Sequence, residues 1–282
     1  MERIVVGIDF SETSPEVTRW ACAFLQEDGE AVLAHVLPGG PVPDFLKGLL
    51  PSAGEGSAGI EERAARLEEL AGGLRCRTTA RVLRGSPAAA LARLGGEVGA
   101  DLLAIGPRGR RASRLGTTAE QLVRSADRPV LVVREPRGPA PTRLLLAVDA
   151  SPRGLEVLRM GKRLMTHFGA TATVLHVLDE DLLVALRLTP EGSPEHTRGA
   201  QAIAAARGWI EEQVRLQQLP QERTTISAIF GSPIHEIAGR TEVGGADLVV
   251  MGSRGLGGVA REILGSVASG VLRAAWCPIL VV

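Results

Sequence analysis

The sequence of 282 residues contains no tyrosine, three tryptophans and five phenylalanines. Proteins that bind single-stranded nucleic acid stack bases on aromatic side chains, so this scarcity counts against such a function. An excess of one charge is also lacking, because 32 basic residues balance 32 acidic ones. Electrostatic binding of nucleic acid needs a basic surface, and the balance therefore argues against that class as well.

Cysteine is scarce, with three widely spaced residues, Cys22, Cys76 and Cys277, and no C-x-x-C pair. This spacing predicts buried or inert thiols in a reducing compartment rather than disulfides or a metal site. No apolar run approaches the length of a membrane span, and the chain opens directly on a strand pattern. We therefore expect a cytoplasmic protein.

Several motifs of nucleotide-binding and hydrolytic proteins are missing. There is no G-x4-G-K-[ST] and no G-x-G-x-x-G after the first strand pattern. His235-Glu236 does not begin an H-E-x-x-H motif, because Gly239 stands where the second histidine should be. No G-x-S-x-G occurs either. The sequence predicts no metal site and no catalytic triad.

A glycine-rich stretch near the end of the chain predicts a binding site for phosphate. The apolar run Asp247–Met251 precedes Gly252-Ser253-Arg254-Gly255, and Gly265-Ser266 opens a helix pattern over Val267–Ala275. Glycines let the backbone approach a ligand, and the free N–H groups at a helix start bind anions. The alternative interpretation is that these glycines only permit tight packing.

The chain contains an internal repeat. Leu144–Val148, followed by an aspartate, repeats Ile4–Ile8 with its own aspartate, and Pro278–Val282 repeats Pro129–Val133. Because the order of segments is kept throughout, two equivalent domains are predicted. We expect the first domain over residues 1–136, a linker over 137–142 and the second domain over 143–282.

Each half alternates strand and helix patterns, which predicts an α/β fold of two repeated doubly wound domains. Each domain is expected to be a five-stranded parallel sheet with helices on both faces. The first helix is expected to start near Pro15 and to run to about Asp28. Ligands of such sheets bind beyond the carboxyl ends of the strands, where Asp9, Asp149 and both glycine loops lie.

The spacing of the second-half glycines resembles the G-x2-G-x9-G-[ST] signature of the ATP-binding universal stress proteins. The resemblance extends to both halves and implies the strand order 3-2-1-4-5. It implies that Asp149 and the backbone near Val177 contact adenine, that the glycine loop approaches ribose and phosphates, and that the helix start holds the phosphates. By itself, Asp149 is equally well explained as a helix cap. The implied second-half residues are Asp149, Ser151, Val177, Met251, Gly252, Arg254, Gly255, Gly265, Ser266 and Val267.

The first half departs from this signature. Six residues, not nine, separate Gly109 from Gly116-Thr117, and Pro107 stands in place of Ser253, which removes one backbone donor. Arginines crowd the shorter loop and either compensate with charge or form a solvated patch. Nucleotide binding in this half is therefore open. Its candidate residues are Asp9, Ser11, Val36, Ile105, Gly106, Arg108, Gly109, Gly116 and Thr117.

The resemblance implies an ATP-binding, nucleotide-sensing regulator of the stress response. Mg²⁺ is expected to accompany ATP, with Asp149 as a candidate ligand. Two alternatives stay open: a weak ATPase or nucleotidyl-transfer enzyme, for which no general base is evident, and a nucleotide-free dimerising scaffold.

The resemblance also implies that the last strand pairs antiparallel across a two-fold axis. Here Pro129–Val133 and Pro278–Val282 would supply both strands, which gives an intrachain pseudo-dimer. A homo-oligomer is a further possibility, and neither nucleic acid nor a membrane is an expected partner.

Overall fold

The computed structural model describes residues 1–37, 39, 57–107, 116–179, 194–255 and 264–282, without the side chains of 57, 58 and 194–198. The chain divides into two compact units, Met1–Arg134 and Glu135–Val282. Within the described ranges, no helix has the length and apolar character needed to cross a membrane.

The first unit is one parallel sheet with helices between its strands. Hydrogen bonding gives the strand order β3-β2-β1-β4-β5. The elements are β1 (Arg3–Gly7), α1 (Ser14–Cys22), β2 (Glu30–Leu37), α2 (Ser57–Gly72), β3 (Arg77–Arg84), α3 (Pro87–Glu97), β4 (Leu102–Ile105), α4 (Thr117–Ser125) and β5 (Val130–Val132).

The second unit repeats this arrangement, with the parallel strand order β8-β7-β6-β9-β10. The predicted tandem α/β architecture is thereby confirmed. The elements are β6 (Arg143–Ala147), α5 (Pro152–Phe168), β7 (Thr171–Leu178), α6 (Pro194–Leu216), a short 3-10 helix (Gln221–Arg223), β8 (Thr224–Phe230), α7 (Pro233–Gly239), β9 (Leu248–Met251), α8 (Ser266–Ala274) and β10 (Ile279–Val281).

The central strands are apolar along their length because helices cover both faces of each sheet. Leu144, Leu145 and Leu146 of β6 are all buried. Helix α5 lies so close to β6 that a Cβ atom on Gly161 would come within 2.3 Å of Leu146 Cδ1. This close packing fixes α5 on β6 and, with it, the turn that joins them at the carboxyl edge of the sheet.

The expected end of the first helix near Asp28 is wrong, because α1 ends at Cys22. The chain continues in tighter turns, in which the N–H of Phe24 donates to the carbonyl of Ala21 at 3.0 Å. The N–H of Gln26 then donates to the carbonyl of Met1 at 2.8 Å. The helix stops here because this bond ties the chain to the start of the sheet and Phe24 is buried.

All three cysteines are free thiols, as expected, but two of them lie close together. The Sγ atoms of Cys22, at the end of α1, and Cys76, just before β3, lie 2.8 Å apart. Both residues are partly exposed, whereas Cys277 is buried. The two cysteines are 54 positions apart, so their spacing did not indicate a pair. They meet because the intervening β2 and α2 return the chain to the same edge of the sheet.

Candidate functional site

The candidate site of the second unit lies where β6 and β9 end side by side. Ala147, the last residue of β6, pairs with Met251, the last residue of β9. From β6 the chain crosses to β7 on one side, whereas β9 lies on the other side, so the strand order reverses at this point. Such a reversal opens a crevice at the carboxyl ends of the strands. Gly252 directly follows β9 at this crevice, and Asp149 lies two residues after the end of β6.

The carboxylate of Asp149 is held in place by the start of α5. Its Oδ1 accepts hydrogen bonds from the backbone N–H of Ser151, at 3.2 Å, and from the Ser151 hydroxyl. Ser151 is the N-cap of α5, and its Oγ accepts a bond from the N–H of Gly154 at 3.2 Å. The interpretation of Asp149 as the helix cap is therefore wrong, because Ser151 caps α5 and in doing so orients the Asp149 carboxylate.

The second oxygen of Asp149 faces the glycine loop. A Cβ atom on Gly255 would lie 2.7 Å from Asp149 Oδ2, so a side chain at this position would have to displace the carboxylate that the start of α5 holds. The backbone of Gly255 and this carboxylate oxygen therefore meet directly. The structure thus places the residue after β6 and the loop after β9 in one crevice.

Two backbone hydrogen bonds hold the ends of the glycine loop. The N–H of Ser253 donates to the carbonyl of Val282 at 3.0 Å, and the N–H of Gly265 donates to the carbonyl of Ser253 at 2.9 Å. The residues between, 256–263, lie outside the described part of the chain. The second bond sets the start of α8 against the start of the loop.

The N-terminus of α8 lies at the carboxyl edge of the sheet and begins with a glycine. Gly265 is its N-cap and makes no side-chain capping bond. Ser266 is exposed, and the first helical bond runs from Ser269 to the carbonyl of Gly265 at 2.9 Å. A helix N-terminus of this kind carries partial positive charge and attracts anions. The first-turn amides, including that of Val267, are therefore suited to phosphate oxygens.

The backbone of Val177 faces the same crevice. The ladder between β6 and β7 closes with a bond from Val148 N–H to the carbonyl of Leu175 at 2.9 Å. Alternate residues of a strand direct their backbone N–H and C=O groups to the same side. The backbone groups of Val177 therefore point to the same side as those of Leu175, at a level beyond the end of β6. The carbonyl of Val148 accepts a bond from a side-chain atom, Nδ1 of His176, at 2.8 Å. We infer from this arrangement that the amide and carbonyl of Val177 face the crevice.

Arg153 is a candidate residue that the sequence did not single out. A Cβ atom on Gly252 would meet the Cβ of Arg153 at 3.0 Å, so the first turn of α5 touches the glycine loop. The guanidinium is about half exposed and pairs with Glu156. The available signal was its position two residues after Ser151, at a helix start on the ligand edge of the sheet.

The first unit builds a related turn on different contacts. Asp9 Oδ1 accepts bonds from the N–H of Ser11 at 2.9 Å and from the hydroxyl of Ser14 at 3.0 Å. The N–H of Gly116 donates to the carbonyl of Pro107 at 2.6 Å, as Gly265 does to Ser253. Proline has no N–H, so the bond that Ser253 makes to the last strand has no counterpart here.

The remaining first-unit candidates occupy the expected edge or lie outside the description. Ile105 ends β4, Gly106 follows it, Thr117 begins α4 and Val36 lies on β2. Arg108 and Gly109 fall outside the described residues. The structure therefore places the second-unit candidates at one carboxyl edge of the sheet, but it describes only part of the first-unit set.

Aromatic and basic side chains alter the first-unit crevice. Phe10 takes a left-handed backbone conformation, with a φ of 57°, and its ring lies 4.6 Å from that of His35. The guanidinium of Arg66 lies 4.1 Å from the Phe10 ring centroid, a cation–π contact. In the second unit, the ring of Trp209 on α6 lies 6.3 Å from His176 instead. The side chains beside the two equivalent histidines therefore differ, with Phe10 in the first unit and Trp209 in the second.

A cavity of about 400 Å³ opens beside Phe10 between α1 and α2. Its walls include Ser11 and Arg19 on one side, and Arg66 and Leu74 on the other. No sequence pattern predicts this cavity, because it depends on how α2 lies against α1.

His35 should make the first unit sensitive to mild acid. Burial lowers the pKa of His35 below its ordinary 6.5, the bond from its Nδ1 to the Ile8 carbonyl opposes this, and Arg63 and Arg66 lower it further. The unfolded chain then binds more protons, so the contribution of His35 to stability is present above pH 6.5 and declines as the pH falls below it. Urea unfolding from pH 8 to pH 5.5 measures this decline at about six pH values.

His35→Asn is the matched variant for this prediction, because its side-chain amide can still donate to the Ile8 carbonyl but does not titrate. We expect its unfolding free energy to fall less steeply with acid than that of the native protein. Equal slopes for the two proteins would show that His35 is not the group responsible.

The fold and the crevice together define a class: a tandem doubly wound α/β protein with a helix N-terminus opening on the carboxyl edge of the sheet. The model of the universal stress protein family matches residues 1–134 and 141–282. The chain therefore belongs to the universal stress protein family.

Some relatives match nearly the whole chain, and others match about half of it. A universal stress protein of Mycolicibacterium smegmatis is 28% identical over 99% of this chain and 96% of its own length. Universal stress protein YxiE of Bacillus subtilis is 28% identical over 50% of this chain and 97% of its own length. The solved structure of a universal stress protein from Archaeoglobus fulgidus has a TM-score of 0.63 at 18% identity, covering 99% of this chain and 97% of that one. These likenesses support the tandem fold.

Proposed function

We propose that the protein binds ATP in the crevice of the second unit and acts as a nucleotide-sensing regulator of the stress response. The observation that carries this proposal is the direct approach of Gly255 to Asp149 Oδ2. This contact sets the oriented carboxylate beside the glycine loop. The other end of that loop is the start of α8, where Gly265 is the N-cap. Membership of the universal stress protein family supports the same function.

Adenine would bind at the wall formed by Asp149 and β7. Its amino group is a hydrogen-bond donor and its ring nitrogens are acceptors, and the crevice offers complements to both. The carboxylate of Asp149 accepts, and the backbone of Val177 presents one donor and one acceptor. Met251, buried at the end of β9, would form the apolar floor.

The phosphates would bind along the glycine loop toward α8. The amides of Gly265, Ser266 and Val267 would hold them at the positive end of the helix. The backbone of Gly252 and Gly255 can approach ribose and phosphate, because neither residue carries a side chain. Arg254 and Arg153 would supply positive charge beside them.

Mg²⁺ would enter with ATP, held chiefly by the phosphates. Among the described residues, no group of three or more histidine, cysteine, aspartate or glutamate side chains can hold a metal ion. Asp149 already accepts bonds from Ser151 through Oδ1, which leaves Oδ2 as its available oxygen. We therefore propose Asp149 as an adenine ligand before a magnesium ligand.

The first test is to denature freshly purified protein and to identify and quantify the released nucleotide by chromatography. We expect about one adenine nucleotide per chain, because the second unit has both loop bonds and the first has one. Two per chain would show that the first crevice also binds. Mostly ADP would indicate turnover and favour the ATPase alternative. No nucleotide, and no binding of added ATP, would overturn the proposal in favour of a scaffold.

Variants at the crevice should weaken ATP binding without unfolding the protein. We expect Gly255→Val to reduce affinity roughly 100-fold, because a side chain there collides with Asp149. Asp149→Ala should reduce it roughly tenfold, since it removes one hydrogen-bond acceptor for adenine. Isothermal titration with Mg-ATP measures both, and thermal unfolding checks that each variant is folded.

Asp9→Ala is the matched control, since Asp9 is the first-unit counterpart of Asp149. Its expected affinity for ATP equals that of the native chain. Loss of binding in Asp9→Ala alone would move the site to the first unit, and unchanged binding in Gly255→Val would remove the glycine loop from it.

We further propose that β5 and β10 pair across a two-fold axis, within one chain or between two. In the described residues of its own unit, each of these strands pairs on one side only, β5 with β4 and β10 with β9. An apolar edge of this kind needs a partner. We also propose a cytoplasmic location, which cell fractionation would test.

A further inference from the structure

Cys22 and Cys76 form a close thiol pair in the first unit. Their Sγ atoms lie 2.8 Å apart although the residues are 54 positions apart in the chain. A disulfide needs a sulfur separation of about 2.05 Å, so a shift of less than about 1 Å would join them. Both side chains are partly exposed, which gives a small oxidant access to them.

We propose that Cys22 and Cys76 form a reversible intrachain disulfide when the protein meets hydrogen peroxide. This inference is independent of nucleotide binding, because neither thiol belongs to the candidate crevices. It assigns a redox modification site to the first unit, and the second unit has no counterpart: its one cysteine, Cys277, is buried.

The chemistry proceeds in two balanced steps. The Cys76 thiol attacks hydrogen peroxide and breaks its O–O bond, which yields a sulfenic acid and one water molecule. The Cys22 sulfur then displaces the hydroxyl group, which leaves as a second water with the Cys22 proton, and the S–S bond forms. Two thiols are oxidised and one peroxide is reduced. A dithiol such as dithiothreitol reverses the reaction by exchange.

The order of the two thiols follows from their surroundings. Burial raises the pKa of the Cys22 thiol, and the neighbouring Cys76 sulfur raises it further. Cys22 is therefore protonated at neutral pH and reacts poorly with peroxide by itself, since the thiolate is the nucleophile. This assigns the first attack to Cys76 and the resolving role to Cys22.

The bond would connect the two helices that line the first-unit cavity. Cys22 is the last residue of α1, and Cys76 lies four residues after the end of α2 at Gly72. The cavity walls come from α1 and from the last part of α2 with the turn that follows it. Oxidation would therefore fix one end of the cavity, and it would close a long loop of the unfolded chain.

The test treats full-length reduced protein with hydrogen peroxide and counts free thiols with a maleimide under denaturing conditions. We expect the count to fall from three to one, with a tryptic peptide linking Cys22 to Cys76 in the mass spectrum. The midpoint of thermal unfolding of the first unit should rise by about 5–10 °C. Dithiothreitol should reverse every change.

Two serine variants make the outcome specific. Cys277→Ser should oxidise like the native protein, with its count falling from two thiols to none. Cys22→Ser should stop at a sulfenic acid on Cys76 that dimedone traps and should show no rise in melting temperature. Three thiols remaining after peroxide, a disulfide between chains, or irreversible oxidation of Cys76 in the native protein would each overturn the proposal.

Discussion

Gly154→Ala is expected to destabilise the second unit by about 3 kcal/mol, although alanine normally favours a helix over glycine. A Cβ atom on Gly154 would lie 2.0 Å from the carbonyl oxygen of Asp149 and 3.1 Å from its carbonyl carbon. These are backbone atoms, so no side chain can rotate away. Either α5 moves from β6 or the turn that carries Asp149 changes shape, and ATP binding should be lost with it.

The matched control is Gly208→Ala, a glycine in α6 whose added Cβ would meet nothing within 4 Å. This variant should stabilise the second unit by up to about 1 kcal/mol through helix propensity. Equilibrium unfolding in urea compares the two free energies. If Gly154→Ala proved as stable as Gly208→Ala, the close contact between α5 and the Asp149 turn would be wrong.

The first unit accommodates a side chain at the equivalent position, Ser14. There Phe10 takes its left-handed conformation, and α1 begins at Ser14, whereas α5 begins two positions earlier in its repeat. The hydroxyl of Ser14 uses the space to donate to Asp9. The two units therefore join the aspartate to the following helix with different backbone conformations. Only the second unit requires a glycine at this position.

Asp247→Ala should destabilise the second unit by about 3 kcal/mol as well, for an electrostatic reason. The carboxylate of Asp247 is buried and accepts bonds from the N–H of Thr142 at 3.1 Å and the N–H of Arg143 at 3.0 Å. It also accepts from the Thr142 hydroxyl at 2.6 Å and from the Arg143 guanidinium at 2.7 Å. The alanine variant would leave these donors without their acceptor.

The pH dependence has a definite sign. Burial by itself would raise the pKa of Asp247, but the bonds from Arg143 and Thr142 outweigh it and hold the pKa below the ordinary 3.8. The stabilisation is therefore fully present above pH 3.8 and is lost as the pH falls through the lowered pKa of the folded state. Acid unfolding of the native protein should show this loss, and that of Asp247→Ala should not.

Asp101→Ala is the natural comparison, because Asp101 holds the same place in the first unit. It accepts bonds from the N–H groups of Glu2, at 2.6 Å, and Arg3, at 3.1 Å, and is more exposed. We expect a loss of about 1 kcal/mol from its own unit. Equal losses in the two variants would contradict the role given to burial and to the Arg143 bond.

The fold was predictable because its signals are local or repeated. An α/β tandem is predicted by apolar runs such as Leu144–Val148 and by capping residues such as Ser151. The recurrence of both features in the two halves predicts the repeat. The glycine spacing after Met251 similarly located the candidate crevice. The apolar runs and the capping residues depend on backbone preferences that the chain shows over ten or fewer residues.

Contacts between distant helices were not predictable in the same way. Arg66 reaches Phe10, Arg153 meets Gly252, and Cys76 meets Cys22 only because of how the helices lie on the sheet. Sequence patterns show which face of a helix is apolar. They do not show how the helix is rotated on the sheet or which side chain lies opposite it across a crevice. The early end of α1 has the same cause, since the bond from Gln26 to Met1 is a tertiary contact.

The bond from Ser253 to Val282 gives the second unit a mechanical link that the first unit lacks. Any displacement of the glycine loop must either pull the end of β10 with it or break this bond. An event at the carboxyl edge of the sheet is thereby transmitted along the backbone to its outermost strand. In the first unit Pro107 has no N–H to make this bond, so the residue two positions after β4 lacks this tie to the end of β5. The two halves of the chain therefore differ in whether the residue two positions after β4 or β9 is bonded to the end of the neighbouring strand.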